Sequence, residues 1–293
     1  MSSAPSRLRA LLARPGCHQM PCCFDALSAK LVAAAGFPVT FVSGFSAAAA
    51  KGLPDTGLLS YAEMEGVMRR VSTALDQQIP VIGDGDTGYG NAVNAKRTVK
   101  GYAAAGLAGI MIEDQVAPKR CGHTKGKEVV DRATAIARIQ AAVDASREAA
   151  GGREDDSILI VARTDARGTH GLDEALERAV RFREAGADIC FVEAPQSVEE
   201  MRAICEAVEG PKMANLLTGG LTPVLPPDEL EKLGFKLAAY PLDLLNASIV
   251  AQRAALEGMK GGVPPEEYSL PFEELQSVVG FPEYYAEADR YKT

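Results

Sequence analysis

Tryptophan is absent from this 293-residue chain, histidine occurs only three times, and aromatic residues make up 6%. Cysteine is sparse and irregular: six residues, with Cys22 and Cys23 adjacent, Cys190 in an apolar run, and no Cys-x-x-Cys pair. That spacing excludes a disulfide framework and a paired zinc knuckle, and it points to a reduced compartment. Positive charge is the minority, 31 Lys and Arg against 39 Asp and Glu, for a net charge of -8. An acidic chain of this kind excludes nucleic acid as the main partner. No apolar run approaches the roughly 18 residues of a transmembrane helix, and residues 1–7 carry no apolar core of the signal-peptide type. The expectation is a cytoplasmic protein with no membrane partner.

What the chain does contain is alternation. Nearly half of it (47%) is hydrophobic, enough for a large core. Short apolar runs at 20–23, 39–43, 80–83, 109–113, 158–163, 189–193, 212–215 and 237–240 read as strands. Helical patterns at 26–35, 61–75, 92–105, 131–149, 172–185, 198–208, 227–233 and 242–256 separate them. Continuous rather than alternating apolar runs suit strands buried on both faces of a parallel sheet. Eight strand–helix units in this length predict an α/β fold, a (β/α)8 barrel. Glycines 36, 106 and 186 follow Ala-Ala, Ala-Ala and Glu-Ala where helices should end, as helix-terminating residues do. No low-complexity linker divides the chain. The expected organisation is a catalytic barrel over 1–258 and a helical tail over 259–293, packed on the barrel or on a neighbouring subunit. A short aromatic helix is expected at 281–291.

Active sites of barrels lie at the C-terminal ends of the strands, and polar residues of catalytic type cluster there. Strand 2 ends in Ser43-Gly44, strand 3 in Asp84-Gly85-Asp86, strand 4 in Glu113-Asp114, strand 5 in Arg163-Thr164-Asp165, strand 6 in Glu193 and strand 7 in Asn215. Asp84 and Asp86 stand two apart, so in extended backbone both would face one side, where like charges repel unless a cation lies between them. With Glu113 they form an all-oxygen set suited to Mg2+ or Mn2+ rather than Zn2+. Beyond strand 4 comes Lys119-Arg120-Cys121-Gly122-His123, which joins two cations, a thiol and an imidazole. Neighbouring cations favour the thiolate, making Cys121 an acid/base or nucleophile, and Gly122 lets backbone approach a ligand closely. Lys119, Arg120, Lys125, Lys127 and Arg163 concentrate positive charge in an acidic protein, and arginine grips carboxylates bidentately. The implied substrate is a small carboxylate anion. Asp55, in the Pro-Gly-bounded loop after strand 2, can reach the site or serve as an ordinary turn aspartate. His18 and His170 lack such company and read as packing or surface residues.

Taken in order, these phrases resemble the isocitrate lyase/phosphoenolpyruvate mutase superfamily, especially short members such as 2-methylisocitrate lyase, 2,3-dimethylmalate lyase and the plant petal death protein. The resemblance rests on Ser43-Gly44, Leu53-Pro54-Asp55, Gly83-Asp84-Gly85-Asp86-Thr87-Gly88, Ile112-Glu113-Asp114-Gln115, Lys119 to His123, Ala162-Arg163-Thr164-Asp165, Glu193-Ala194 and Ala214-Asn215, across residues 18–258. It implies a TIM-type barrel whose last helix is swapped between subunits of a homotetramer, a dimer of dimers. It also implies Mg2+ held by Asp84 and Asp86, partly through water, with Glu113 nearby. Ser43, Gly44 and Arg163 would bind a substrate carboxylate with help from Asn215 and Glu193. Residues 119–123 would form a gating loop, with Cys121 as the acid/base and Lys119 and His123 beside it. The implied activity is Mg2+-dependent carbon–carbon cleavage of a 2-hydroxy di- or tricarboxylate to a 2-keto acid and a carboxylate.

Three positions refine the resemblance. The Cys-Gly-His loop differs from the Asn-containing loop of a phosphoenolpyruvate mutase proper. Pro241, after strand 8, is the lyase-like form, where oxaloacetate hydrolases resemble a serine. Phe45 and Phe41 stand where 2-methylisocitrate lyases resemble a glycine pair and a tyrosine, which favours a smaller, substituted malate. The alternatives are an oxaloacetate hydrolase, a carboxyphosphonoenolpyruvate mutase, and a non-catalytic carboxylate-binding protein, against which the intact set of reactive residues argues.

Overall fold

The computed structural model describes residues 2–122, 126–263 and 265–292. The described chain divides into two compact units, Met1–Asp243 and Leu244–Thr293.

The first unit is built on eight strands: β1 (His18–Cys23), β2 (Thr40–Val42), β3 (Val81–Asp84), β4 (Gly109–Glu113), β5 (Leu159–Thr164), β6 (Ile189–Val192), β7 (Met213–Asn215) and β8 (Leu237–Tyr240). They hydrogen-bond in the order β6-β5-β4-β3-β2-β1-β8-β7, and every pair is parallel. Between β6 and β7 the ring narrows to a parallel bridge, Cys190 to Lys212, with the Cys190 N–H donating to the Pro211 carbonyl at 3.0 Å. The expected barrel is present, nearly closed. Strands β2 to β6 are buried throughout, which is why the sequence shows continuous apolar runs there.

The connecting helices begin where their caps dictate. Asp25 with Ser28, Ser60 with Glu63, and Asn91 with Asn94 form capping boxes at the starts of Ala26–Ala34, Tyr61–Leu75 and Ala92–Ala104. Gly36, Gly106 and Gly186 follow three helix ends with φ of 83°, 87° and 100°, as expected of terminating glycines.

Three helices of the first unit go beyond the sequence expectation, Ala4–Leu12, Gly44–Ala50 and the four-residue Ala166–Thr169. Ala4–Leu12 is capped by Ser3, with proline in its first turn. Its Leu8, Leu11 and Leu12 join Met20, Phe41, Met111, Val161, Phe191, Met213 and Leu237 in one buried cluster inside the barrel. Arg9 donates to the Ser157 carbonyl (2.8 Å) and hydroxyl (2.9 Å), just before β5, so the helix closes the N-terminal mouth. Leu8 is fully buried. Leu8→Ala should therefore cost about 2–5 kcal/mol of stability, read as a lower urea midpoint with an unchanged slope. The second helix, Gly44–Ala50, follows β2 directly, with Ser43 as its N-cap.

The second unit holds most of the helix Asp243–Met259, then Phe272–Val279 and Phe281–Asp289. Its large apolar side chains are exposed, among them Phe272 (71%) and Tyr284 (68%). No helix among the described residues is long and apolar enough to cross a membrane.

Candidate active site

At the C-terminal ends of the strands a small cavity of about 70 Å³ opens. The sequence-predicted residues Phe41, Ser43, Phe45, Asp55, Asp84, Glu113, Lys119, Cys121, Gly122, Arg163, Glu193, Asn215 and Pro241 all line it. Gly44 and Asp86 stand just behind the wall. His123 lies outside the described residues. Sequence reasoning missed the apolar wall formed by Cys22, Met111, Phe191, Met213, Leu217 and Leu242.

The acidic side starts at the end of β3. Asp84 accepts the Gly44 N–H on Oδ2 (3.1 Å) and the Asp86 N–H on Oδ1 (3.0 Å), while Tyr102 OH donates to its carbonyl at 2.9 Å. A Cβ at Gly44 would stand 2.5 Å from Asp84 Oδ2, so only glycine permits this backbone approach. Asp86 departs from the extended geometry assumed for the pair. The strand ends at Asp84, and Asp86 has a left-handed φ of 49°. The two carboxylates meet through a turn rather than through strand alternation.

Lys119 reaches into this acidic corner, ion-paired with Asp55 at 2.7 Å and with Asp86. Burial pushes Asp86 up to about 6, helped by Asp84 and Asp55 and opposed by Lys119. Burial works against the Lys119 ammonium, but Asp86, Asp84, Glu113 and Asp55 outweigh it and hold its pKa well above the ordinary value. Glu113 is also driven well above the ordinary carboxylate range, chiefly by burial against the pull of Arg163 and Lys119. Its Oε1 is buried with no hydrogen-bond partner among the described residues.

Arg163, at the end of β5, is the cationic counterpart. It forks onto Asp165, with Nε to Oδ2 at 2.8 Å and an Nη to Oδ1 at 3.1 Å. It also reaches Glu193 at 3.0 Å and Glu113 at 3.3 Å, and stands 5.3 Å over the Phe191 ring. Asn215 Nδ2 donates to both Glu193 oxygens at 3.3 and 3.4 Å. A Cβ on Gly122 would fall 2.3 Å from an Arg163 Nη and 2.7 Å from Glu193, so the chain bearing Cys121 runs directly against the arginine.

Beneath these groups lies a buried layer that sequence reasoning did not assign. Asp114 accepts the Thr164 hydroxyl (2.7 Å), the Asp165 N–H (2.9 Å) and Arg178 (3.1 Å). Lys127 pairs with Asp165 at 2.7 Å. The Ile-Glu-Asp-Gln and Arg-Thr-Asp phrases contain Asp114, Thr164 and Asp165, so part of the signal was present, but spacing cannot say which ions pair.

Among the described residues no group of three His, Cys, Asp or Glu converges as a metal cage. The chemistry nonetheless fits a hard divalent cation. Asp84, Asp86 and Glu113 are buried oxygen donors, and the unpartnered Glu113 Oε1 is a lone-pair site that burial makes costly to leave unmatched.

Known proteins bear on this geometry. The family model described as phosphoenolpyruvate phosphomutase matches residues 8–260. The chain is 44% identical to 2,3-dimethylmalate lyase of Eubacterium barkeri over 237 residues, covering 80% of this chain and 79% of that protein. A crystal structure of 2,3-dimethylmalate lyase superposes with a TM-score of 0.91 at 34% identity, covering 99% of this chain and 96% of the other. Oxaloacetate acetylhydrolase in complex with 3,3-difluorooxalacetate superposes with a TM-score of 0.92 at 30% identity, covering 98% and 96%. With the barrel, the ordered site residues and these matches in agreement, the chain belongs to the isocitrate lyase/phosphoenolpyruvate mutase superfamily, beside its short-chain lyases, and is an enzyme of that group.

Proposed function

We propose that the protein is a Mg2+-dependent carbon–carbon lyase that cleaves a small 2-hydroxy dicarboxylate of the substituted-malate type to a 2-keto acid and a carboxylate. The observation that carries this is the division of one cavity between buried carboxylates (Asp84, Glu113), a buried arginine (Arg163) and a thiol (Cys121). Arg163 and Ser43, with the backbone at Gly44, take a substrate carboxylate, and Asn215 and Glu193 complete its surroundings. Asp84 and Asp86, with Glu113 nearby, hold the cation. When bound, it polarises the carboxylate and hydroxyl oxygens of the substrate and stabilises developing oxyanion charge.

Glu113 Oε1 takes the hydroxyl proton, a task suited to a carboxylate whose affinity for protons is raised. The adjacent C–C bond breaks and leaves a carbonyl. Its electron pair passes to the departing fragment, a carbanion stabilised by its own carboxylate. Cys121 then delivers the proton that turns the carbanion carbon into a C–H, so that this fragment leaves as a simple carboxylate. Residues 119–123 act as the gating loop, with Lys119 and His123 assisting. Phe41, Phe45, Leu217 and Leu242 make one wall apolar, which suits an alkyl substituent better than a third carboxylate. The exposed Phe272, Leu275, Val279 and Tyr284 of the second unit support docking onto another subunit, in keeping with a homotetramer.

A metal ligand must be deprotonated. Burial pushes Asp86 up to about 6, so the rise in Tm caused by Mg2+ should be full near pH 7.5 and shrink as pH falls toward about 5. A Mg2+ effect independent of pH over this range would remove Asp86 from the metal site.

The second reading is oxaloacetate hydrolysis, favoured by the close superposition on oxaloacetate acetylhydrolase. Pro241, which lines the cavity in place of a hydroxyl-bearing residue, speaks against it. Proton NMR of the protein with Mg2+ and 2,3-dimethylmalate, 2-alkylmalates, 2-methylisocitrate, isocitrate or oxaloacetate, each repeated with EDTA, separates the two. A metal-dependent 2-keto acid is the expected product. Oxalate and acetate from oxaloacetate alone would establish the hydrolase instead.

A further inference from the structure

Cys121 sits in a segment that leaves β4 and returns, and the return is fastened. Gln115 and Val129 form an antiparallel bridge at its base, with the Val116 N–H donating to the Glu128 carbonyl and the Val130 N–H to the Asp114 carbonyl, each at 2.9 Å. Two side chains then hold the backbone on either side of the thiol. Gln115, almost wholly buried, grips Arg120 in both directions: its Nε2 donates to the Arg120 carbonyl and its Oε1 accepts the Arg120 N–H, both at 2.9 Å. Lys127, its ammonium equally shielded, donates to the Gly122 carbonyl at 2.6 Å and pairs with Asp165 at 2.7 Å. Asp165 is the carboxylate onto which Arg163 forks.

We infer that Gln115 and Lys127 are positioning residues that fix Cys121 in register with Arg163, Lys127 through the shared Asp165 and Gln115 from the end of β4. Such an arrangement has a physical purpose. A proton donor on a loop and a carboxylate grip on a strand must be held to a fraction of an ångström, and side chains bonded to backbone on both flanks do this without touching substrate. Lys127 differs from Gln115 in binding both halves at once. Its loss should loosen the thiol and the arginine together, whereas loss of Gln115 should loosen the thiol alone. This assignment builds on the proposed lyase reading for the purpose of the arrangement, not for its existence.

The test separates the two. Gln115→Leu, Lys127→Met and Lys127→Arg would be treated with iodoacetamide, and labelling followed at each cysteine by peptide mass mapping. Buried Cys23 and Cys190 serve as internal controls for unfolding. Faster labelling of Cys121 in Gln115→Leu and Lys127→Met, with the controls still protected and with slower labelling restored in Lys127→Arg, is the expected result. It needs no substrate, so it stands apart from whether the lyase assignment is right. With whichever acid the NMR panel identifies, Gln115→Leu should lower kcat about tenfold to a hundredfold with KM unchanged, and Lys127→Met should also raise KM. Unchanged labelling at Cys121, or labelling that rises equally at the buried controls, would reduce both residues to structural roles and overturn the inference.

Discussion

Cys121→Ser is expected to leave the barrel folded and to lower turnover by about 10²–10⁴-fold, the range that positioned acid/base groups contribute. The residue lies outside every strand and helix, half-buried, on the wall of the cavity. Sulfur-to-oxygen exchange removes no packed volume of consequence, so Tm should hold. What changes is the proton. A thiol ionises near pH 8.5 and can both give and regain a proton near neutrality, while an alkyl hydroxyl cannot. The carbanionic fragment would then wait for a proton from solvent. Because Cys121 would act on the departing fragment and not on the bound ground state, KM should move little while kcat falls. A variant with normal kcat and unchanged products would take Cys121 out of the mechanism. One with lost activity and a lowered Tm would show that its part is structural.

Much of this site was legible from the chain because a parallel barrel makes it so. Strands buried on both faces read as apolar runs, and the first polar residue after each run falls at the catalytic end. Ser43, Asp84, Glu113, Arg163, Glu193 and Asn215 were found in that way, and all line the cavity. What spacing could not deliver was pairing. Lys119 was read as a cation for substrate, yet its ammonium lies between Asp55 and Asp86. Asp165 was visible at the end of β5, but its partnership with Lys127 depends on a segment returning from β4. The helix Ala4–Leu12 was missed although Ser3, Pro5 and the apolar residues at 8, 11 and 12 spell out its cap and face. Its value lies in closing the barrel mouth, which only the closed sheet reveals. Helix Gly44–Ala50 was hidden for a related reason: Ser43 is at once cavity wall and N-cap, and the chemical reading of Ser43-Gly44 masked the local one.

Arg163→Met should be the most damaging single change in the molecule, because it strands several charges at once. The methionine fills much of the arginine's volume beside Phe191, so the loss is electrostatic. Asp165, Glu193 and Glu113 would remain buried with their shared cation gone. Removing one partner of a buried pair costs about 3–5 kcal/mol, or on the order of 10 °C in Tm for a chain of this size. The sign of the pH dependence follows from Asp165. Burial alone would raise its pKa, but Arg163 and Lys127 outweigh burial and hold it well below the ordinary carboxylate value. A depressed pKa in the folded state contributes stability that is present above the unfolded value, near 4, and fades as pH falls toward the folded one. Without Arg163 the larger share of that contribution goes, only Lys127 being left against burial, and Glu113, already raised by burial, loses the cation that opposes the rise most. The deficit in Tm relative to the unaltered protein should therefore be largest at neutral pH and above, and shrink as pH falls toward about 4.5 and the carboxylates take up protons. Arg163→Lys restores a charge without the fork. It should recover part of the stability but little of kcat/KM, since one ammonium cannot hold Asp165 and a substrate carboxylate in two-pronged fashion. Thermal melts of the three proteins across this pH range, paired with kcat/KM for each, decide the matter. A deficit that is flat with pH would mean that lost packing, not stranded charge, accounts for the damage, and full activity in Arg163→Lys would show that the substrate carboxylate is bound elsewhere.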